Sequence, residues 1–134
     1  MLKISYFNIF LYIFVKYIAF YAFMMFRNND FTLIRINELK RFEDWYYYLW
    51  IFLFLPIINS LIFSVPIYFS FKAKNPIYFF VFIIIILLGE YFLYTYFASE
   101  SDLMNGVYNG IISLLFLNIF FFKQIRSKFV KSPD

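Results

Sequence analysis

The sequence predicts an all-α integral membrane protein, a four-helix transmembrane bundle, and three observations carry that expectation. The first is composition: of 134 residues, 64% are apolar and 15% charged, with a mean hydropathy of +0.75. A soluble domain is about half apolar and about a quarter charged, and a small domain buries only about two-thirds of the surface its unfolded chain exposes. Most of this chain's apolar surface therefore needs lipid as its solvent. The second is run length: four stretches, at about 4–26, 46–71, 77–97 and 104–122, approach the roughly 20 residues that cross about 30 Å of hydrocarbon. The third is pattern. Ile83-Ile84-Ile85-Ile86-Leu87-Leu88 does not alternate apolar with polar as a barrel strand would, and a span in lipid that is not a barrel strand has to be a helix. Soluble enzymes, nucleic-acid modules and disordered regulators are excluded on the same grounds. Residues 1–134 read as a single four-span membrane domain.

The first run is interrupted only by Lys16. Its apolar length exceeds that of a signal peptide, and Ala19 and Ala22 do not form a small-x-small cleavage site, so it is expected to persist as a span. The connection at 27–45 is charged, and Asn37 is placed to cap a turn in which Leu39, Phe42 and Trp45 or Tyr46 share one face. That pattern predicts an amphipathic helix on the outer membrane surface, either a lid or docking element or a connector resting on headgroups. The second run carries Pro56 and Pro66, each of which removes a helical hydrogen bond and predicts a bend. Asn59, Ser60 and Ser64 are close enough in sequence to satisfy the freed carbonyls. The third run contains Glu90. The fourth opens on Gly106-Val107-Tyr108-Asn109-Gly110, and Ser113 extends the same small face. Glycines one turn apart admit a close backbone neighbour, within the bundle or in a second copy.

Aromatic belts suit these edges: Trp45, Tyr46, Tyr47, Tyr48 and Trp50 at the start of the second run, and Tyr91, Tyr94 and Tyr96 late in the third. Aromatic content reaches 28%, with 23 Phe and 13 Tyr. The codons of an AT-rich genome enrich Phe, Tyr, Ile, Asn and Lys together, which explains it without an aromatic ligand cage. Orientation follows from Lys and Arg. The two termini and the second connection hold seven (Lys3, Lys72, Lys74, Lys123, Arg126, Lys128, Lys131), and the first connection holds four (Arg27, Arg35, Lys40, Arg41). The excess predicts both termini in the cytoplasm, in a bacterial inner membrane, with the basic tail against anionic lipid.

Ionisable groups at mid-span cost about 2.5–3.5 kcal/mol on insertion scales, and this chain places two there, Lys16 and Glu90. Lys16 lies 13 residues past Lys3 and Glu90 lies 14 past Pro76, roughly 20 Å deep at about 1.5 Å per residue. The first and third spans run parallel, so the two side chains share a level. Asn59, 13 residues before Lys72, and Asn109, 14 before Lys123, fall in the same layer. The predicted intramembrane polar layer is therefore Lys16, Asn59, Glu90 and Asn109, and the predicted packing residues are Gly106, Gly110 and Ser113. The layer reads either as a structural clasp or as an ion- or proton-coupling site.

The chain has no Cys and no His, which removes thiol chemistry, His-ligated haem and the usual transition-metal sites. No catalytic constellation, metal site or cofactor is expected. The sequence points to a non-enzymatic subunit of a membrane assembly, of an assembly-factor, immunity or phage-defence type. Its partners are expected to be the lipid bilayer and either copies of itself or another membrane protein, with no nucleic acid. A small oligomeric channel or proton-coupled transporter using Glu90 and Lys16 is the alternative. A lipid-head-group enzyme comes third, since only Glu38–Asp44 clusters charge at an interface.

Overall fold

A computed structural model describes residues 3–29, 31, 40–97 and 102–130. Of these 88% are helical and none is in a strand. Helix α1 covers Tyr6–Asn28, α2 covers Phe42–Leu49, α3 covers Leu55–Lys72, α4 covers Pro76–Tyr96 and α5 covers Leu103–Phe129. A π-helical segment, Trp50–Phe54, joins α2 to α3 without a break. Four helices, α1, 52–72, α4 and α5, are long and apolar enough to cross a membrane.

Local chemistry sets the helix ends. The Ser5 hydroxyl accepts from the Asn8 N–H at 3.1 Å, the Asn75 side chain from Ile77 N–H at 2.8 Å, and Asp102 from Met104 N–H at 2.8 Å. Each satisfies a donor that has no partner within the helix. Helix α1 stops at Asn29, whose left-handed φ of 51° turns its N–H back to the carbonyls of Met25 and Phe26. Asparagine tolerates that conformation better than most residues. Pro76 starts α4, where its missing N–H costs nothing.

The π segment has a local cause in Pro56. A proline at that position cannot donate to the carbonyl of Phe52, and its ring crowds that carbonyl. The turn widens instead, and the Leu55 N–H reaches back five residues to the Trp50 carbonyl. The sequence expectation that Asn59, Ser60 and Ser64 satisfy the carbonyls freed by Pro56 and Pro66 is corrected, the Ser60 hydroxyl having no partner. The carbonyl that Pro66 releases is that of Ile62, whereas the Ser64 hydroxyl donates to Leu61 at 3.3 Å. The proposed Asn37–Leu39 turn lies outside the described residues. The described part of that connection, α2, exposes Phe42, Trp45, Tyr46 and Leu49 and continues through the π segment into the span.

The helices alternate in direction, and α1 and α4 both pack between α3 and α5. Thus α1 faces α4 across one diagonal of the bundle. Each helix buries one stripe: Ile9, Tyr12, Ile13, Lys16, Tyr17 and Phe20 on α1, and Phe79, Ile83, Ile86, Glu90 and Tyr94 on α4. These i, i+3/i+4, i+7 spacings mark one helical face. The other pair turns smaller groups inward, Asn59, Ser60 and Ser64 on α3 and Gly106, Asn109 and Ser113 on α5. Their small volume leaves room for the long side chains of α1 and α4. Towards the end of the bundle near Asn28 and Tyr96, Tyr17, Phe20 and Tyr94 form one apolar cluster, and towards the end near Tyr6 and Lys72 a larger one centres on Ile9, Tyr12, Phe71, Phe79 and Phe121.

Helix α5 runs to Phe129, seven residues beyond the predicted apolar run. The backbone leaves helical geometry at Phe121 (φ −124°, ψ 21°), a fully buried ring packed on Tyr12 and Phe71. Past this bend the chain turns back on the bundle. The Lys128 ammonium donates to the Ala73 carbonyl at 2.6 Å, and the Phe129 ring packs 5.0 Å from Phe80. The final turns of α5 therefore also cover the α3–α4 connection, a contact beyond the lipid contact expected of the tail.

Candidate functional site

Lys16 and Glu90 occupy the middle of the inward stripes of α1 and α4, each 1% exposed. The diagonal placement brings Lys16 Nζ to 2.5 Å from Glu90 Oε1. The second carboxylate oxygen accepts from Ser113 Oγ at 2.8 Å and from Asn109 Nδ2 at 3.4 Å, both on α5. Glu90 is thus held by donors from two other helices. Tyr12, one turn before Lys16, donates its hydroxyl to the backbone carbonyl of Ser113 at 3.1 Å, which ties α1 to α5 beside the ion pair.

Electrostatics explain why the groups converge. A lone ammonium or carboxylate in an apolar interior carries a desolvation cost of several kcal/mol, which a close partner and further hydrogen bonds offset. Charge-assisted bonds of this kind are short and roughly twice as strong as neutral ones. Beside Glu90 a void of about 10 Å³ is lined by Tyr12, Ile83, Ser113 and Leu117 among others, room for about one water.

The other sequence-predicted residues sort into different roles. Asn109 joins the Glu90 cluster through its amide, while its Oδ1 is buried without a partner. Asn59 does not join it, a correction to the four-residue layer. It is 6% exposed and lines a separate cavity of about 190 Å³ between α1, α3 and α4. Equal depth is not contact: α3 turns Asn59 towards the cavity instead of the bundle axis.

The glycines also part company. A Cβ on Gly106 would meet Thr95 and Tyr91, with the Tyr91 carbonyl oxygen at 2.8 Å, so Gly106 permits close approach of α5 to α4. A Cβ on Gly110 would meet nothing within 4 Å, and within the bundle this position packs on no neighbour, contrary to the packing role expected of it there. Ser113 is buried on the inner face of α5 and there also serves the carboxylate. Tyr12 was missed in the sequence, where it is one of 13 tyrosines. Its position four residues before Lys16 on the same face was the available signal.

No group of three or more His, Cys, Asp or Glu side chains that could hold a metal occurs among the described residues. Comparison with known protein families, curated proteins and solved structures gives no match. The site is therefore read from its own geometry.

Proposed function

We propose that this chain is a non-enzymatic component of a membrane assembly, a four-span bundle that presents an apolar outer surface to lipid and to a membrane partner. The observation that carries this reading is the use of both intramembrane charges within the bundle. Glu90 uses both oxygens on Lys16, Ser113 and Asn109, so the two mid-span charges are directed at each other and at the bundle's own polar groups. A conducting role would favour those groups lining a wet passage, and a void of about 10 Å³ gives that little support. The pair acts as a clasp that fixes which helices lie diagonal and at what register.

The bacterial inner membrane is the proposed location, with both termini cytoplasmic, on the seven-to-four distribution of Lys and Arg. Self-association is proposed on the open side of α5. There Gly110 stands among exposed Val107, Ile111 and Leu114, so a second helix has unobstructed access.

Native mass spectrometry after gentle extraction tests the reading. A stoichiometric second membrane protein, or a homo-oligomer that conducts no ions in proteoliposomes, is the expected outcome. Ion or proton flux by the purified chain that vanishes in Glu90→Gln would overturn it in favour of a channel or transporter. Gly110→Leu is expected to lower the native mass if the α5 surface joins copies; an unchanged mass removes that surface from the proposal.

A further inference from the structure

The cavity of about 190 Å³ has no part in the Lys16–Glu90 clasp. It lies outward of that pair between α1, α3 and α4. Its walls are two-sided in chemistry. Tyr17, Tyr21, Tyr94 and Phe97 supply aromatic surface, and Leu55, Ile58, Ile62 and Leu93 supply aliphatic surface. The Asn59 carboxamide shares the lining with these three tyrosines. The Asn59 side chain is more than nine-tenths buried and hydrogen-bonds to no described residue. A largely buried amide without a protein partner favours a ligand that supplies one.

We propose that this cavity binds a lipid-soluble molecule with a single aromatic or quinonoid ring bearing a hydrogen-bonding oxygen. Size sets the scale: an engineered apolar cavity of about 150 Å³ takes up benzene, so a cleft of about 190 Å³ that opens to the bundle surface past exposed Ile58, Ile62 and Phe97 admits a substituted ring. Wall chemistry sets the shape, because tyrosine and phenylalanine rings offer edge and face contacts to a flat ligand. Asn59 sets the polarity. Its two N–H donors and one acceptor suit either a carbonyl or a hydroxyl oxygen. A phospholipid acyl chain is a poorer match, since it brings no oxygen to this depth and leaves the amide unpaired. The inference is independent of the assembly role proposed above.

The test uses the full chain in phospholipid nanodiscs with labelled Ile and Leu methyl groups, titrated with 4-methylphenol and with 1,4-dimethylbenzene. The two probes share a shape and differ by the one oxygen. Expected are saturable shifts at Ile58, Ile62 and Leu93 with both probes and, with affinities referred to each probe's concentration in the bilayer, binding of the phenol at least about tenfold tighter, as one good hydrogen bond away from water supplies. Asn59→Leu should erase that preference while dimethylbenzene still binds, which also shows the variant to be folded. Leu93→Trp should fill the space and abolish both. Equal affinities for the two probes in the wild-type chain would overturn the proposal, because they would describe an apolar void or an acyl-chain slot. Shifts that rise with probe concentration and never saturate would overturn it too, as simple partitioning into lipid. The wild-type comparison stands even if Asn59→Leu fails to fold.

Discussion

Two residue pairs within this bundle differ only in what surrounds them. Gly106 and Gly110 have identical side chains one turn apart, yet a methyl on the first would press to 2.8 Å from the Tyr91 carbonyl and one on the second would touch nothing. Overpacking of this kind costs about 1–3 kcal/mol. Gly106→Ala is therefore expected to lower the unfolding midpoint clearly and Gly110→Ala to leave it unchanged or raise it; equal losses in thermal unfolding would contradict this. Ser60 and Ser113 form the second contrast. Both hydroxyls are buried, but Ser113 donates to Glu90 while Ser60 Oγ has no partner. Ser60→Ala should be neutral or stabilising, since it removes an unpaired polar group, and Ser113→Ala should cost about 1.5–3 kcal/mol, the range for a hydrogen bond to a charge. Urea or SDS unfolding in bicelles reads both. Sequence alone gave these pairs no distinction, because periodicity reports which face a residue occupies and not how close the next helix comes.

Among the elements, the α2–π–α3 rod and the end of α5 depart from plain spans. The π segment is attributed to Pro56, so Pro56→Ala should restore the hydrogen bond to the Phe52 carbonyl and remove the widened turn. One residue of extra winding then rotates α2 by about 100° against α3. Both tryptophans of the chain, Trp45 and Trp50, lie on this stretch, and their quenching by lipid-borne and aqueous quenchers should exchange in the variant. Unchanged quenching would mean that the proline is not the cause. At the other end, Lys128 caps the Ala73 carbonyl and α5 outruns its apolar run. The four spans were legible because about 20 apolar residues announce a membrane helix. The π turn and the α5 extension were not, since hydropathy marks where lipid ends and says nothing about where a helix ends. The half-exposed Arg27–Asp102 contact at 4.0 Å joins the C-terminal end of α1 to the N-terminal end of α5 and adds little at such exposure.

For the whole molecule, connectivity and charge together fix the arrangement. Short connections place α3 beside α4 and α4 beside α5, the long connection through α2 still returns α3 to the side of α1, and α1 closes the ring against α5. The two bulky ionisable residues fall on the diagonal pair and the small residues on the other, so the long side chains reach across a gap the small ones leave. Depth arithmetic anticipated that Lys16 and Glu90 share a level; that they lie opposite, and that Asn59 turns away to a separate cavity, depends on helix rotation, which apolar stripes on nearly all-apolar helices specify poorly. The central claim is that this pair holds the bundle in one register. A double-mutant cycle on Lys16→Met and Glu90→Gln, measured by reversible unfolding in bicelles, tests it most directly. Each single change is expected to destabilise by about 3–5 kcal/mol through the stranded charge or unpaired group. The double variant should recover stability, with a coupling energy of about 1–3 kcal/mol. Losses that simply add would contradict the account, because they would place Lys16 and Glu90 in separate surroundings.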